Sequence, residues 1–521
     1  MFRSLFNRNR QKTKVRQNNT PYIEKHAFEI SNNIQTNIDY INTMLDHPDD
    51  LKLRQLKLGP SEILCAIMYI DGLVDEQSVQ QSVFGSIQDT SEKDYPKKAK
   101  DLFDYIYWHV IADANVEKCE SFDDLSYHLL SGFTIFFIDG LNKVLLIDTL
   151  GGEYRAIEEP VTETLIRGPR EGFIENIQQN LSIVRRRLKD TNLRFKTFNI
   201  GRRSKKSLAV VYIDGIVNPK LLKEVNRRLQ TIDIDSVSES GYIEAWIQDS
   251  YLSPFPQIIN TERPDKVIAA ILQGKVAILL DGTPYALIAP SVFVSVLQSP
   301  EDYYERWTIG SLLRILRYFG AFVSVILPSL YIALISMQPD MLPTELALSI
   351  AGTREGVPFP PVVEAFMMII TMELLQEAGA RLPQTIGQTV GIVGGLVIGE
   401  AAVQAGIVSP IMVIVVALTA IANFTIPSFS ISISFRIIRF GFMIAATMFG
   451  LYGIILVYIM INIHLVNLKS FGIPYSTPFA PFFKSDWSDV IIRAPMHIRT
   501  KRPEFLSTVD DTAANREGEE T

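Results

Sequence analysis

The sequence predicts an α/β soluble N-terminal region of two duplicated subdomains, followed by an α-helical polytopic membrane domain. Three observations carry this reading. The motif Tyr-Ile-Asp-Gly closes an apolar run at 69–72 and again at 212–215. A second apolar run ends in Asp-Gly at 139–140 and again at 281–282. Beyond about residue 306 come long stretches without charge, such as the twenty residues Tyr318–Met337. A chain of 521 residues exceeds one ordinary domain core. Its mean hydropathy of +0.15 averages two unlike halves.

Residues 1–55 read as a basic and polar flexible tail. Arg3, Arg8, Arg10, Lys12, Lys14 and Arg16 precede the first acid, Glu24. No apolar core of signal-peptide length follows them. Such a tail gains about 1 kcal/mol per charge near anionic lipid.

The first α/β subdomain is placed at 56–160 and the second at 205–305. "SEILCAIMYIDGLVD" (61–75) and "SLAVVYIDGIV" (207–217) each read as a buried strand, a tight turn and a helix start. "HLLSGFTIFFIDG" (128–140) and "AILQGKVAILLDG" (270–282) each read as a helix end, a Gly stop, a strand and an Asp-Gly turn. Asp71 to Asp214 is 143 positions, and Gly132 to Gly274 and Asp139 to Asp281 are each 142. Independent landmarks that share one offset imply a tandem duplication. Between the copies, 161–204 is a linking region. There the spacing of Phe173, Ile177, Leu181, Val184 and Leu188 predicts a helix with a basic far end.

The aspartates of these turns read as turn residues, not as acids or metal ligands. The chain has no phosphate loop and no nucleophile elbow, so no enzyme and no catalytic residue is expected. Cys65 and Cys119 lie at no metal or redox spacing, and none of the six histidines forms an i, i+4 pair. No metal and no cofactor is expected. A net charge of −7 gives no case for nucleic acid.

The transmembrane domain is placed at 306–465, with a polar C-terminal tail at 466–521 that reads as disordered from about Pro503. Spans are expected at Tyr318–Met337, about 385–405, Ile407–Phe429 and Phe440–Leu465, and Pro328 suggests a kink in the first. Segment 357–381 is apolar but carries Glu364, Glu373, Glu377 and Arg381. The last three are four apart and share a face on which they could pair; Glu364 points the opposite way. Charges at a bilayer centre are costly, so this helix either spans with its acids turned inward or lies partly in the interface. The count is therefore four or five. Arg306, Arg314 and Arg317 before the first span favour a cytoplasmic soluble half.

In "IGQTVGIVGGLVIGEAAVQAG" (386–406), Gly387, Gly391, Gly395 and Gly399 form a bare stripe of the kind that packs helices closely. Ile386, Val390, Val393, Val397, Glu400 and Gln404 gather on another face at 100° per residue. On spacing alone two readings stand. The valines face lipid and Glu400 sits at the interface, or several copies surround an axis with valine rings and an acidic ring.

"IRGPREGF", "GVPFPPVVEAFMMIITMELLQEAGARLP" and "IGQTVGIVGGLVIGEAAVQAGIVSP" resemble the A subunits of spore germination receptors, the GerA family. The likeness runs from roughly residue 55 to 490. It implies a multi-pass protein of the spore inner membrane with a cytoplasmic N-terminal region. It also implies two partners: a transporter-like, nutrient-binding B subunit and a lipoprotein C subunit. It further implies a homo-oligomer, with a pentamer expected, that conducts potassium or sodium when nutrient is sensed. An ion-coupled secondary transporter using Glu364, Glu373 and Glu377, and a non-conducting relay scaffold, are the alternatives.

Overall fold

The computed structural model describes residues 29–59, 61–89, 95–111, 115–151, 160, 163–381, 395 and 397–514. Arg3 to Arg16 lie outside them. The chain forms two compact units. One holds residues up to Ile41, Leu53–Ile70 and Glu76–Leu150; the other holds Asn42–Lys52, Asp71–Asp75 and the chain from Gly151 onward.

Strands β1 (Leu51–Leu58), β2 (Ile63–Ile70), β3 (Val116–Cys119), β4 (Thr134–Ile138) and β5 (Val144–Ile147) form a sheet of order β1-β2-β4-β5-β3. Strands β6 (Leu193–Ile200), β7 (Lys206–Ile213), β8 (Ile259–Thr261), β9 (Val276–Leu280) and β10 (Ala286–Ala289) form the order β6-β7-β9-β10-β8. Adding five to each label of the first order yields the second, so the duplication extends to topology. The inner strands β4, β5, β9 and β10 are buried along their whole length, as continuous apolar runs require. The edge strand β1, "LKLRQLKL", is largely exposed and carries charges, which discourage edge pairing. Cys65 is fully buried on β2, and burial pushes its thiol up to about 12.

The Asp-Gly turns hold the first helix of each copy. The Asp139 carboxylate accepts the Ile34 N–H, at 3.1 Å, at the start of α1 (Ile34–Met44). Asp281 accepts the Ile177 N–H, at 3.3 Å, at the start of α2 (Ile177–Arg187). An internal asparagine repeats too. Asn37 pairs through both side-chain atoms with the backbone of Ser31, and Asn180 with that of Ile174. Each copy therefore begins with a helix. This differs from the sequence reading, which left 34–44 in the tail and 177–187 in a linking region. Ile34 to Ile177 is again 143 positions, but the aspartates that cap these helices lie about a hundred residues downstream, outside any local pattern.

The apolar half contains α3 (Trp307–Ile332) with a π turn at Ala333–Met337, α4 (Thr344–Arg354), α5 (Pro361–Arg381), helical residues 397–404, α6 (Pro410–Phe424) and α7 (Phe429–Asn467). Trp307–Met337 and Phe429–Asn467 are long and apolar enough, by length and composition, to cross a membrane. The second is folded back on itself. Ser434 Oγ donates to the Pro254 carbonyl, and His464 Nε2 lies 2.8 Å from Ser253 Oγ. A straight helix would separate residues 434 and 464 by about 45 Å. They touch neighbouring residues because Gly450 adopts φ 58°, ψ −138° and reverses the chain. Gly453 consequently faces Ala445, where a Cβ would stand 2.1 Å from the carbonyl oxygen. The expected single span Phe440–Leu465 is corrected to parts of two antiparallel arms. Glycine is common in apolar helices, so nothing local marks Gly450 as a turn.

Contacts set the direction of each helix. The start of α3 touches the C-terminal segment: Arg493 N–H donates to Ser311 Oγ at 3.0 Å. Its far end meets the reversal, where Gln338 Oε1 accepts the Leu451 N–H at 2.9 Å. Residues Glu364 and Ser409, which begin α5 and α6, meet Tyr331 at that same far end. Among the described residues, three segments therefore lead away from the second sheet (α3, 397–404 and the first arm of α7), and three return. The C-terminal segment ends beside the sheet. Val509 N–H donates to the Ile216 carbonyl at 3.0 Å and Arg502 Nε to the Leu272 carbonyl at 2.8 Å. Leu506 and Val509 are thus tied to the second subdomain, in a stretch where composition suggested disorder.

The reversal predicts a short distance. Spin labels at Ile433→Cys and Ile463→Cys, both exposed positions, should lie within about 25 Å by pulsed electron resonance. A distance near 45 Å, the length of a continuous helix, would refute the hairpin.

Candidate functional site

Three breaks in the apolar helices free backbone polar groups, and a long side chain from another segment takes up each one. Pro328 has no N–H, so the Ser324 carbonyl four residues earlier loses its helical donor. Arg439 Nε of α7 donates to that carbonyl at 2.6 Å. Arg439 is fully buried, and Glu373 of α5 neutralises it at 3.0 Å while also pairing with Arg436. One carboxylate thereby ties α5, α7 and, through Arg439, α3. Helix α3 continues through Pro328 to Ile332.

The second break is the reversal at Gly450, capped by Gln338. The third is the start of α6. Glu364 is fully buried and accepts the Ser409 N–H at 2.6 Å and the Ser409 hydroxyl at 2.5 Å. Ser409 Oγ in turn accepts the Met412 N–H at 3.3 Å as the helix cap. Arg354 Nη2 of α4 lies 3.5 Å from Glu364, and Tyr331 Oη donates to it at 3.4 Å. A buried carboxylate is tolerable only with such partners.

The structure separates the acids that the sequence grouped. Glu373 pairs with Arg436 and Arg439 of α7, while the Arg381 side chain lies outside the described residues. Glu377 is exposed. Glu364 and Glu373 meet different elements, as their half-turn angular offset dictates. Arg436, Arg439, Arg354 and Ser409 were not singled out from sequence. Arg436 and Arg439 share a helical face before an apolar run, but their acid is 63 and 66 residues away.

Of the glycine-rich segment, Ile386, Gly387, Val390, Gly391 and Val393 lie outside the described residues. Val397 is 56% exposed, and Glu400 and Gln404 are exposed beside it. Gln404 Nε2 donates to Glu400 Oε1 at 3.0 Å. Gly399, about 200° round the helix from Val397, is buried, and a Cβ there would stand 3.3 Å from Val413 of α6. A Cβ on Gly395 would meet nothing within 4 Å. The helix thus seats Gly399 on its own chain and presents Val397, Glu400 and Gln404 outward. Among the described residues, no group of three or more His, Cys, Asp or Glu could hold a metal ion.

Comparison with known proteins bears on this arrangement. The family model of the Bacillus/Clostridium GerA spore germination protein matches residues 39–505. Spore germination protein GerLA of Bacillus cereus is 49% identical over 490 residues, covering 94% of this chain and 99% of that protein. Spore germination protein KA of Bacillus subtilis is 44% identical over 483 residues, covering 92% and 88%. A solved structure, the N-terminal domain of the A subunit of the Bacillus megaterium spore germinant receptor GerK3, is 35% identical. It covers 51% of this chain and 98% of its own, with a TM-score of 0.41.

The Pro328–Arg439 link predicts a coupling. Arg439→Met leaves the Ser324 carbonyl without its donor and takes one of the two arginines from Glu373, with Arg436 remaining, and should cost about 1–3 kcal/mol. In a Pro328→Ala background, where the helix supplies its own N–H, the same change should cost about 1 kcal/mol less. Chemical denaturation in detergent measures both; strict additivity would break the link.

Proposed function

The chain belongs to the GerA family of spore germination proteins, and we propose that it serves as the A subunit of a nutrient germinant receptor. In this reading it sits in the spore inner membrane, with its two α/β subdomains and its C-terminal segment on the cytoplasmic side. It works with a B subunit that binds nutrient and a lipoprotein C subunit. Several copies, with a pentamer expected, surround an axis and conduct monovalent cations.

One observation carries the pore: Val397, Glu400 and Gln404 share an exposed face of a helix whose glycine side is seated on α6. In a ring of copies, the apolar part of that face narrows the axis and stops ions by dewetting. Glu400 forms an acidic ring that draws in cations. Val390 and Val393 continue the face by helical spacing. An even number of crossings returns the C-terminus to the side of the sheets, in keeping with its contacts there. Nutrient bound by a partner shifts the closed–open equilibrium through its different affinity for the two states. A secondary transporter is less favoured, because Glu364 and Glu373 are occupied by structural partners rather than facing a substrate path.

Two outcomes test this. Spores carrying Val397→Ala or Val393→Ala should release potassium and germinate without nutrient. Silence from both, at normal receptor abundance, would refute this choice of pore face. A Cβ at Gly395 meets nothing within 4 Å among the described residues, so Gly395→Leu probes packing by a neighbouring copy. It should therefore keep the monomer fold while losing the assembled complex by native mass analysis. Normal assembly would refute a neighbour packed on that stripe.

A further inference from the structure

We infer that the segment from Phe479 to Ile498 is an interfacial collar that seats the chain on the lipid headgroup layer. This rests on the membrane reading above and adds a surface that the pore does not use. Among the described residues of this segment, Phe482, Ile492, Met496 and Ile498 are large, apolar and exposed, Met496 by 70%. They belong to short 3-10 turns and loops, not to a long helix that could cross a bilayer.

Their depth is set by hydrogen bonds to α3. Arg493 N–H donates to Ser311 Oγ at 3.0 Å, Arg493 Nη1 to the Glu305 carbonyl at 2.8 Å, and Arg314 Nη1 to the Asp489 carbonyl at 2.7 Å. Ile492 therefore stands at the level of Ser311, seven residues before the uncharged run that starts at Tyr318. Seven residues are about 10 Å of helix. At that level α3 itself exposes Ile309 and Leu312, and its exposed stripe continues through Ile315 and Phe319 into the uncharged run. The exposed apolar residues of the collar thus continue a helix face that already leads into the apolar layer.

The polar chemistry suits the same surface. Residues 302–317 and 484–499 hold six basic side chains against four acidic ones. Lys484 is exposed beside Phe482. Asp489 of the segment pairs with Arg314 of α3 and with Arg499, so the segment is clamped to α3 before any lipid arrives. Apolar side chains among basic ones, at the end of a membrane helix, fit the mixed environment of the headgroup zone.

The test uses the full chain with Ile492→Cys carrying an environment-sensitive fluorophore. Cys65 and Cys119 are buried, so labelling selects the new thiol. The protein is placed in phosphatidylglycerol–phosphatidylethanolamine vesicles and quenched either by iodide in water or by spin-labelled lipid. A control label sits at Arg203→Cys, an exposed site of the second subdomain. Lipid-borne quencher should act at residue 492 several-fold more strongly than iodide, with the reverse at 203. Met496→Cys gives the same reading should the first variant fold poorly. Iodide quenching equal to that at 203 would overturn the collar. So would protection from both quenchers, which would mean that a protein surface covers it. A chain that fails to float with the vesicles would contradict the membrane reading itself.

Discussion

An apolar surrounding offers no water to a backbone group that a helix releases, so each release must be answered by protein. The apolar half is organised around that constraint. Pro328 releases the Ser324 carbonyl, and Arg439 takes it; Arg439 then requires a carboxylate, and Glu373 supplies it. Gly450 releases the Leu451 N–H, and Gln338 takes it. The chain entering α6 presents the Ser409 N–H, and Glu364 takes it. Each answer comes from a different helix than the break, so satisfying the backbone also fixes which helices are neighbours.

This division of labour bears on function. Two of the charges that composition made conspicuous, Glu364 and Glu373, hold α3, α4, α5, α6 and α7 together. The segment 397–404 is held differently, with Gly399 against Val413 and, among the described residues, no ion pair on its outward face. A small rotation of that segment would alter the outward face without breaking an ion pair. The C-terminal segment closes a second circuit, because Asp489 grips Arg314 while Val509 and Arg502 bond to the second subdomain. The second subdomain and the first apolar helix are thus joined through the C-terminal segment.

What could be read from sequence follows the range of the interactions. Strands β2, β4, β7 and β9, the Asp-Gly turns and the duplication itself rest on local apolar runs and turn residues, and they were legible; the strand order and the strands β1, β3, β6 and β8 were not. The start of each repeat was not, because α1 and α2 are capped by Asp139 and Asp281 from about a hundred residues away. The acids of α5 were visible, but their partners on α4 and α7 were not, since nothing in the sequence pairs Glu373 with Arg439. Gly450 looks like any glycine of an apolar helix until Ser253 and Pro254 are seen to touch both arms. For the candidate face, spacing placed Val397, Glu400 and Gln404 on one face and Gly399 on another; in the structure the first three are exposed and Gly399 is buried. Ile386, Val390 and Val393 lie outside the described residues.

The proposed pore needs no partner to conduct once its apolar constriction is wetted. The most direct measurement is potassium efflux from liposomes holding the purified chain, wild type beside Val397→Ser, with oligomeric state read in parallel. The account predicts efflux from the assembled variant and little from wild type. An assembled variant that releases no potassium would contradict it, and would leave this protein as a relay for a pore built elsewhere.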